Sequence, residues 1–221
     1  MVTPMPLILY AHPFASYCQK VLIALYENAT DFSVRLLNDE QGFSELAALW
    51  PHKKFPVLTD GDATLIEASI IIEYLELRYP GPARLIADDP QAALHTRFID
   101  RFFDNYVMAP MQKVVGDSLR APSGRDPAGV AEAKAQLDIS YRWLDALMEN
   151  RQWAAGADFS LADCAAAPAL FYADWVHPID PGFVHVRAYR ARLLARPSIA
   201  RVVDEARPFR SLFPLGAPDR D

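Results

Sequence analysis

The segment from Lys54 to Ser69 constrains this chain more than any other stretch. Lys54-Phe55-Pro56-Val57-Leu58 leads into a turn at Asp60-Gly61-Asp62, then Ala63 to Ile66, then Glu67-Ala68-Ser69 at the start of an apolar helical pattern. A proline between Phe55 and the strand-like Val57-Leu58 belongs at the beginning of a strand, where no ladder donor is needed. X-Pro is also the linkage at which a cis peptide is accessible, at a cost of about 0.5–1 kcal/mol. A cis turn here directs the backbone N–H and C=O of Phe55 outward, free to pair with an extended peptide. Glu67 falls where a helix begins, beside backbone N–H groups that suit a carboxylate ligand. The segment therefore offers a strand-like edge, an anion site and an acidic partner for an amine, which together suit a small zwitterionic peptide. The same residues also read as a plain hairpin followed by a helix.

On both sides of this segment the period of the apolar residues defines the architecture. Leu7 to Tyr10 reads as a strand, and from Ser16 to about Asn28 Val21, Leu22, Leu25 and Tyr26 share one helical face. Phe32 to Leu37 reads as a second strand and Phe43 to Trp50 as a short helix. The proline-led strand, its hairpin partner Ala63 to Ile66 and a helix from Glu67 to about Tyr79 complete the order βαβαββα. This predicts a small mixed sheet with helices on its faces, its first crossover right-handed and its first two strands parallel. Pro80-Gly81-Pro82 breaks the pattern. An α/β domain over residues 1–80, a linker over 81–89 and an all-α domain over 90–221 are expected.

In the second half, one long helix is expected over 91–119, kinked at Pro110, with Leu94, Phe98, Phe102 and Tyr106 stacked at i, i+4 as core. Helices over 128–149, 161–176, 183–195 and 198–206 follow, then a tail carrying Phe209 and Phe213. Phe159-Ser160-Leu161-Ala162-Asp163 predicts a capping box between Ser160 and Asp163, with Phe159 as a staple.

Composition removes several classes of function. The formal charge is −6 and the basic residues are scattered, so nucleic acid is not expected as a partner. The start of the chain lacks a basic region before an apolar run, and no stretch is apolar for long enough to span a bilayer. Two cysteines, Cys18 and Cys164, make neither a disulfide framework nor a metal-ligand spacing, and His52, His95, His177 and His185 make no metal set. A cytoplasmic protein without membrane attachment is the expectation.

With these elements in place, the chain resembles the cytosolic glutathione S-transferase superfamily in its bacterial form, over nearly its whole length. Three stretches carry the resemblance: Lys54 to Leu58, similar to the cis-proline strand; Glu67-Ala68, similar to the γ-glutamyl-binding turn; and Phe159 to Asp163, similar to the capping box of the helical domain. The resemblance implies a thioredoxin-like domain followed by an all-helical one. It implies that the Phe55 backbone, next to Pro56, pairs with the cysteinyl part of glutathione. Glu67 and the Ala68 N–H then hold the γ-glutamyl end, and Lys54 approaches the glycyl carboxylate. It further implies a homodimer, with glutathione as co-substrate, no metal or prosthetic group, and a small apolar electrophile as the second substrate.

Two positions depart from the family pattern. Ala68 stands where a serine hydroxyl often binds the γ-glutamyl carboxylate, and the neighbouring Ser69 points about 100° away along a helix. Ala15 stands where the thiol-activating residue often sits, five positions before Lys20-Val21. The same register sets Ala15-Ser16-Tyr17-Cys18 against a Cys-x-x-Cys motif without its first cysteine.

Ser16, at the start of the first helix, is the first candidate to activate the thiol, although Ser16-x-x-Gln19 also reads as a capping box. Cys18 is the second candidate, its other reading being a buried small hydrophobe. Tyr10, Tyr17 and His12 have structural readings as well, and Phe103, Met108, Met111, Phe209 and Phe213 are candidates for an apolar wall. Three functions are expected in this order: conjugation of glutathione to electrophiles, a non-catalytic binding or interaction role on the same fold, and a glutathione-dependent isomerase or dehalogenase.

Overall fold

The computed structural model describes residues 7–221; residues 1–6, part of the start read above for a leader, lie outside the described residues. The first unit runs β1 (Ile8–Ala11), α1 (Ser16–Glu27), β2 (Ser33–Leu36), α2 (Glu40–Leu49), β3 (Val57–Asp60), β4 (Ala63–Ile66) and α3 (Ala68–Arg78). This is the βαβαββα order read from the sequence. The sheet order is β2-β1-β3-β4, with β1 and β2 parallel and the other two pairings antiparallel. Leu9, Val57 and Leu58 are fully buried in it. The hairpin closes through Gly61 at φ 58°, a left-handed conformation open to glycine at no steric cost. Asp60 holds the hairpin to α3 by accepting from the Tyr74 and Tyr79 hydroxyls at 2.6 and 2.7 Å.

The second unit is entirely helical: α4 (Pro90–Phe102), a π-helical segment (Phe103–Met108), α5 (Ala109–Ser118), α6 (Pro127–Met148), α7 (Leu161–Val176), α8 (Val184–Leu194) and α9 (Pro197–Ala206). The chain is thus a thioredoxin-like α/β unit followed by an all-α unit. Every residue of α7 is buried, and its run of alanines lets α1, α4 and the π-helical segment approach closely. The capping box forms at its start, where the Ser160 N–H donates to Asp163 Oδ2 at 2.9 Å. The inward residues expected on α6, Leu137, Tyr141, Leu144 and Met148, are all buried. Among the described residues, no helix is long and apolar enough to cross a membrane.

Two expectations for the second unit are corrected. The long helix over 91–119 is one unbroken helical run, Pro90 to Ser118, but its winding changes in the middle, where the π-helical segment separates α4 from α5. Pro110 has no N–H to donate to the Tyr106 carbonyl, which accepts instead from the Ser140 hydroxyl at 2.7 Å. The aromatic stripe is also not core: Leu94, Phe98 and Tyr106 are 62, 51 and 50% exposed, and only Phe102 is buried. The buried face of α4 passes instead through Ala93, Thr96, Ile99 and Asp100. A carboxylate occupies that face because Lys20 pairs with it from the other unit, and no apolar pattern in α4 could reveal this.

Candidate functional site

The proline-led strand, the start of α3, the start of α1 and the α4–α5 rod enclose a cavity of about 800 Å³. Its first wall is the stretch from Lys53 to Pro56. The Phe55–Pro56 peptide is cis, and β3 begins only at Val57. Phe55 therefore lies outside the β3–β4 ladder, at the cavity wall, with Lys53 and Lys54 exposed beside it.

Glu67 and Ala68 form the second wall. Glu67 adopts φ 69°, ψ 118°, a conformation that a non-glycine residue takes at a cost of about 1–3 kcal/mol. No side chain caps α3, whose first internal bond runs from the Ile71 N–H to the Glu67 carbonyl at 2.9 Å. The earlier N–H groups of this turn precede the first intrahelical bond and carry the positive end of the helix dipole. Glu67 itself is exposed.

At the third wall, α1 starts without a side-chain cap. Ala15 is the N-cap, and the first internal bond runs from the Gln19 N–H to the Ala15 carbonyl at 2.9 Å. The expected Ser16–Gln19 capping box does not form. Gln19 Nε2 turns instead to the Pro13 carbonyl at 2.8 Å and the Tyr172 hydroxyl at 3.0 Å. Ser16 is left at the cavity wall, 9% exposed, with its hydroxyl not committed to a cap.

The remaining walls come from the helical unit: Arg101, Asp104 and Asn105 on one side, and Met111, Val115, Tyr172 and Phe213 as an apolar side. Tyr17 faces the polar side, and burial together with the Asp104 charge pushes its phenol up to about 12, so it stays neutral.

Two candidates lie elsewhere. Cys18 is fully buried and does not line the cavity. Burial pushes its thiol up to about 12, so it remains protonated at neutral pH and the catalytic assignment is corrected to a core role. Ser69 also points away from the cavity. Its hydroxyl donates to Asp100 Oδ2 at 2.8 Å and accepts from Lys20 Nζ at 2.9 Å, so it cannot replace the hydroxyl missing at Ala68. Among the apolar-wall candidates Met111 and Phe213 line the cavity, while Phe103 and Met108 are core. Phe209 packs on the His12 ring at 4.7 Å, and neither residue lines the cavity. Tyr10 packs in the small cluster around Leu37, Leu46 and Val57.

Arg101 and Asp104 are site residues that the sequence reading missed. Asp100, Asp104 and Lys20 are buried, and Lys20 Nζ lies 2.5 Å from Asp100 Oδ1 and 2.9 Å from Asp104 Oδ2. Burial raises the Asp104 carboxyl above its usual range, and Lys20 opposes that rise. The available signal was the charged run Asp100, Arg101 and Asp104 inside an otherwise apolar helical pattern.

The chain is similar to known proteins over most of its length. A family model described as the glutathione S-transferase N-terminal domain matches residues 9–83, and one described as the glutathione S-transferase C-terminal domain matches 104–197. The human protein named glutathione S-transferase theta-1 is 30% identical over 194 residues, covering 80% of this chain and 75% of that protein. A stringent starvation protein A homolog of Coxiella burnetii is 26% identical over 163 residues, covering 74% of each chain. A glutathione S-transferase of Methylobacterium radiotolerans, solved in complex with glutathione sulfonate, superposes with TM-score 0.78 at 26% identity. That superposition covers 90% of this chain and 95% of the other.

Proposed function

Because the chain belongs to the glutathione S-transferase family, we propose that it binds glutathione in this cavity and joins its thiolate to a small apolar electrophile. The observation that carries the reading is the convergence on one cavity of the Phe55 edge, the uncapped α3 start with Glu67, and the uncapped α1 start with Ser16. The peptide lies along the α/β unit, residues 1–80, which the linker 81–89 joins to the helical unit 90–221. Phe55 pairs with the cysteinyl backbone, and Pro56 sets that edge. Lys54 meets the glycyl carboxylate, while Glu67 and the Ala68 N–H take the γ-glutamyl end.

The thiol then lies near the α1 start. A free thiol titrates near 8.5, and each unit of lowering requires about 1.36 kcal/mol of preference for the thiolate. The Ser16 hydroxyl and the first-turn N–H groups supply that preference. The thiolate sulfur forms a bond to the electrophilic carbon, the leaving group departs with the bonding pair, and the thiol proton passes to water. Met111, Val115, Tyr172 and Phe213 hold the electrophile. Glutathione is a co-substrate in this scheme, and no prosthetic group takes part.

The protein acts in the cytoplasm as a homodimer. Its interface is the exposed apolar surface of α3 at Ile70 and Leu77 together with that of α4 at Leu94 and Phe98. A second reading, a non-catalytic glutathione-binding or regulatory protein, is favoured by Ala15 at the α1 start and by the similarity to stringent starvation protein A homologs. An isomerase or dehalogenase would return glutathione instead of consuming it.

Calorimetric titration with glutathione tests the binding: absence of binding in the millimolar range removes the transferase and the isomerase or dehalogenase readings and leaves an interaction or regulatory role on the same fold. Product analysis with a panel of electrophiles then separates them. A stable conjugate supports transfer, regenerated glutathione supports isomerisation or dehalogenation, and no turnover at any pH supports the binding role.

A further inference from the structure

The chain enters α1 later than its sequence invites. Proline is favoured at the first position of a helix, where its missing N–H costs nothing, and Pro13-Phe14-Ala15 could run straight into Ser16. A helix begun at Pro13 would bond the Tyr17 N–H to the Pro13 carbonyl and the Cys18 N–H to the Phe14 carbonyl. The protein does otherwise. Pro13 and Phe14 form a turn closed by the Ala15 N–H on the His12 carbonyl at 3.0 Å, Ala15 is extended at ψ 122°, and α1 starts at Ser16.

Two side chains from beyond the turn occupy both carbonyls. Gln19 Nε2 donates to the Pro13 carbonyl at 2.8 Å and to the Tyr172 hydroxyl at 3.0 Å. That hydroxyl donates in turn to the Phe14 carbonyl at 3.0 Å. Gln19 and Tyr172 are each 3% exposed, and burial raises the Tyr172 phenol, which keeps it a donor. A carbonyl released from so dry a network must find another donor. The nearest are the Tyr17 and Cys18 N–H groups, which precede the first internal bond of α1 at Gln19. Breaking the network therefore favours a longer helix. Lengthening consumes those two N–H groups and moves the free end of α1 back by three residues, about 4.5 Å.

We propose that Gln19 and Tyr172 are positioning residues for thiol activation: they hold the Pro13 and Phe14 carbonyls away from α1, so that the N–H groups of its first turn stay open beside Ser16. The assignment rests on the reading that glutathione brings its thiol to the α1 start. It gives the helical unit a part in that chemistry, because Tyr172 belongs to α7 and reaches across to the loop before α1.

The test compares the full chain with Gln19→Met/Tyr172→Phe, which removes the bonds and nearly keeps the side-chain volumes. Without ligand, amide exchange followed by NMR reads the helix start. Tyr17 and Cys18 are expected to exchange about tenfold more slowly in the variant, the factor for one hydrogen bond gained. With glutathione, the pH of half-maximal thiolate absorbance is expected to rise by about one unit, as two N–H groups are withdrawn from the anion. Amides that exchange as in the wild type overturn the assignment. So does a variant that binds glutathione more weakly with its titration unmoved, the signature of a merely structural pair. Where the double variant does not fold, Gln19→Met alone frees the Pro13 carbonyl, and an unchanged Tyr17 amide or an unchanged titration overturns the assignment. A wild-type protein that binds no glutathione overturns the transferase reading and the thiol role with it. That failure is distinct from failure of the network, on which the amides report without any ligand.

Discussion

The Lys20 ammonium on α1 lies 2.9 Å from Asp104 Oδ2 in the π-helical segment, across the boundary between the two units. Asp100 and Ser69 complete its surroundings at 2.5 and 2.9 Å, so the buried cation has three oxygen partners. A buried charge is tolerated only when it is paired and hydrogen-bonded in this way. The pair sets the position of α1, and with it Ser16, relative to the cavity wall that carries Arg101.

Lys20→Met removes this cation and leaves two buried carboxylates with the half-exposed Arg101 as their remaining cation. A loss of about 3–5 kcal/mol at pH 7 is expected in urea unfolding, the range for breaking a buried pair on one side. The loss depends on pH. Asp104 already has a raised folded-state pKa, with burial as the first cause and Lys20 opposing it, and removing Lys20 raises it further. An acid with a raised folded-state pKa contributes stability below its unfolded value, and that contribution is lost as pH rises through the folded value. The difference between variant and wild type should therefore narrow as pH falls from 7 towards 4. A constant difference across that range would show that Asp104 is not the titrating group.

Glu67→Gly separates backbone strain from ligand binding. Glycine adopts the positive φ of residue 67 without penalty, and its extra freedom in the unfolded chain costs about 0.4–1 kcal/mol. Relief of strain and this entropy oppose each other, so the melting temperature should change little or rise. Glutathione affinity should fall at least about tenfold through loss of the carboxylate, as one charge-assisted bond implies. A variant that binds glutathione as tightly as the wild type would remove Glu67 from the site.

Ser16→Ala tests thiol activation directly. The Ser16 hydroxyl at the cavity wall stabilises the charged form of the bound thiol, so its removal should raise the pH of half-maximal thiolate absorbance. A shift of about one unit is expected, equivalent to about 1.36 kcal/mol. An unchanged titration with unchanged glutathione affinity would assign activation to the α1 backbone alone.

Phe98→Asp places a charge in the middle of the exposed apolar surface of α4, where Phe98 lies edge-on to the Trp143 ring at 6.2 Å. On the proposed dimer this side chain is covered by the partner. The variant should sediment as a monomer at micromolar concentrations at which the wild type is a dimer, with its helical content unchanged. Equal sedimentation of the two would place the interface elsewhere.

The parts of the fold that were legible in the sequence are those whose causes are local. Pro56 after Phe55, Glu67 before an apolar helix and Ser160 three residues before Asp163 each act within one turn of chain, so their spacing carries the information. Gln19 was misread because its side chain bonds Tyr172, 153 positions away, in preference to its own helix end. The buried face of α4 was misread for the same reason. Asp100 is buried only because Lys20 arrives from another unit, so the face looks polar in sequence while the exposed Leu94–Phe98–Tyr106 row looks like core. Arg101 went unnoticed for the same reason, since its charge acquires a role only where α4 meets the start of α3.

The π-helical segment Phe103–Met108 has a geometric consequence for the cavity. Winding through i→i+5 bonds inserts one residue relative to an α-helix, which changes the phase of everything downstream by about 100°. Arg101 precedes the insertion and Met111 and Val115 follow it, and all three line one cavity. On an uninterrupted α-helix Val115, fourteen residues beyond Arg101, would share its face to within about 40°. The insertion therefore rotates the apolar section of the wall relative to the polar one. Point substitutions can alter either section alone, whereas deleting one residue of the segment that does not line the cavity would turn the two sections about 100° against each other and reshape the cavity with its lining side chains unchanged.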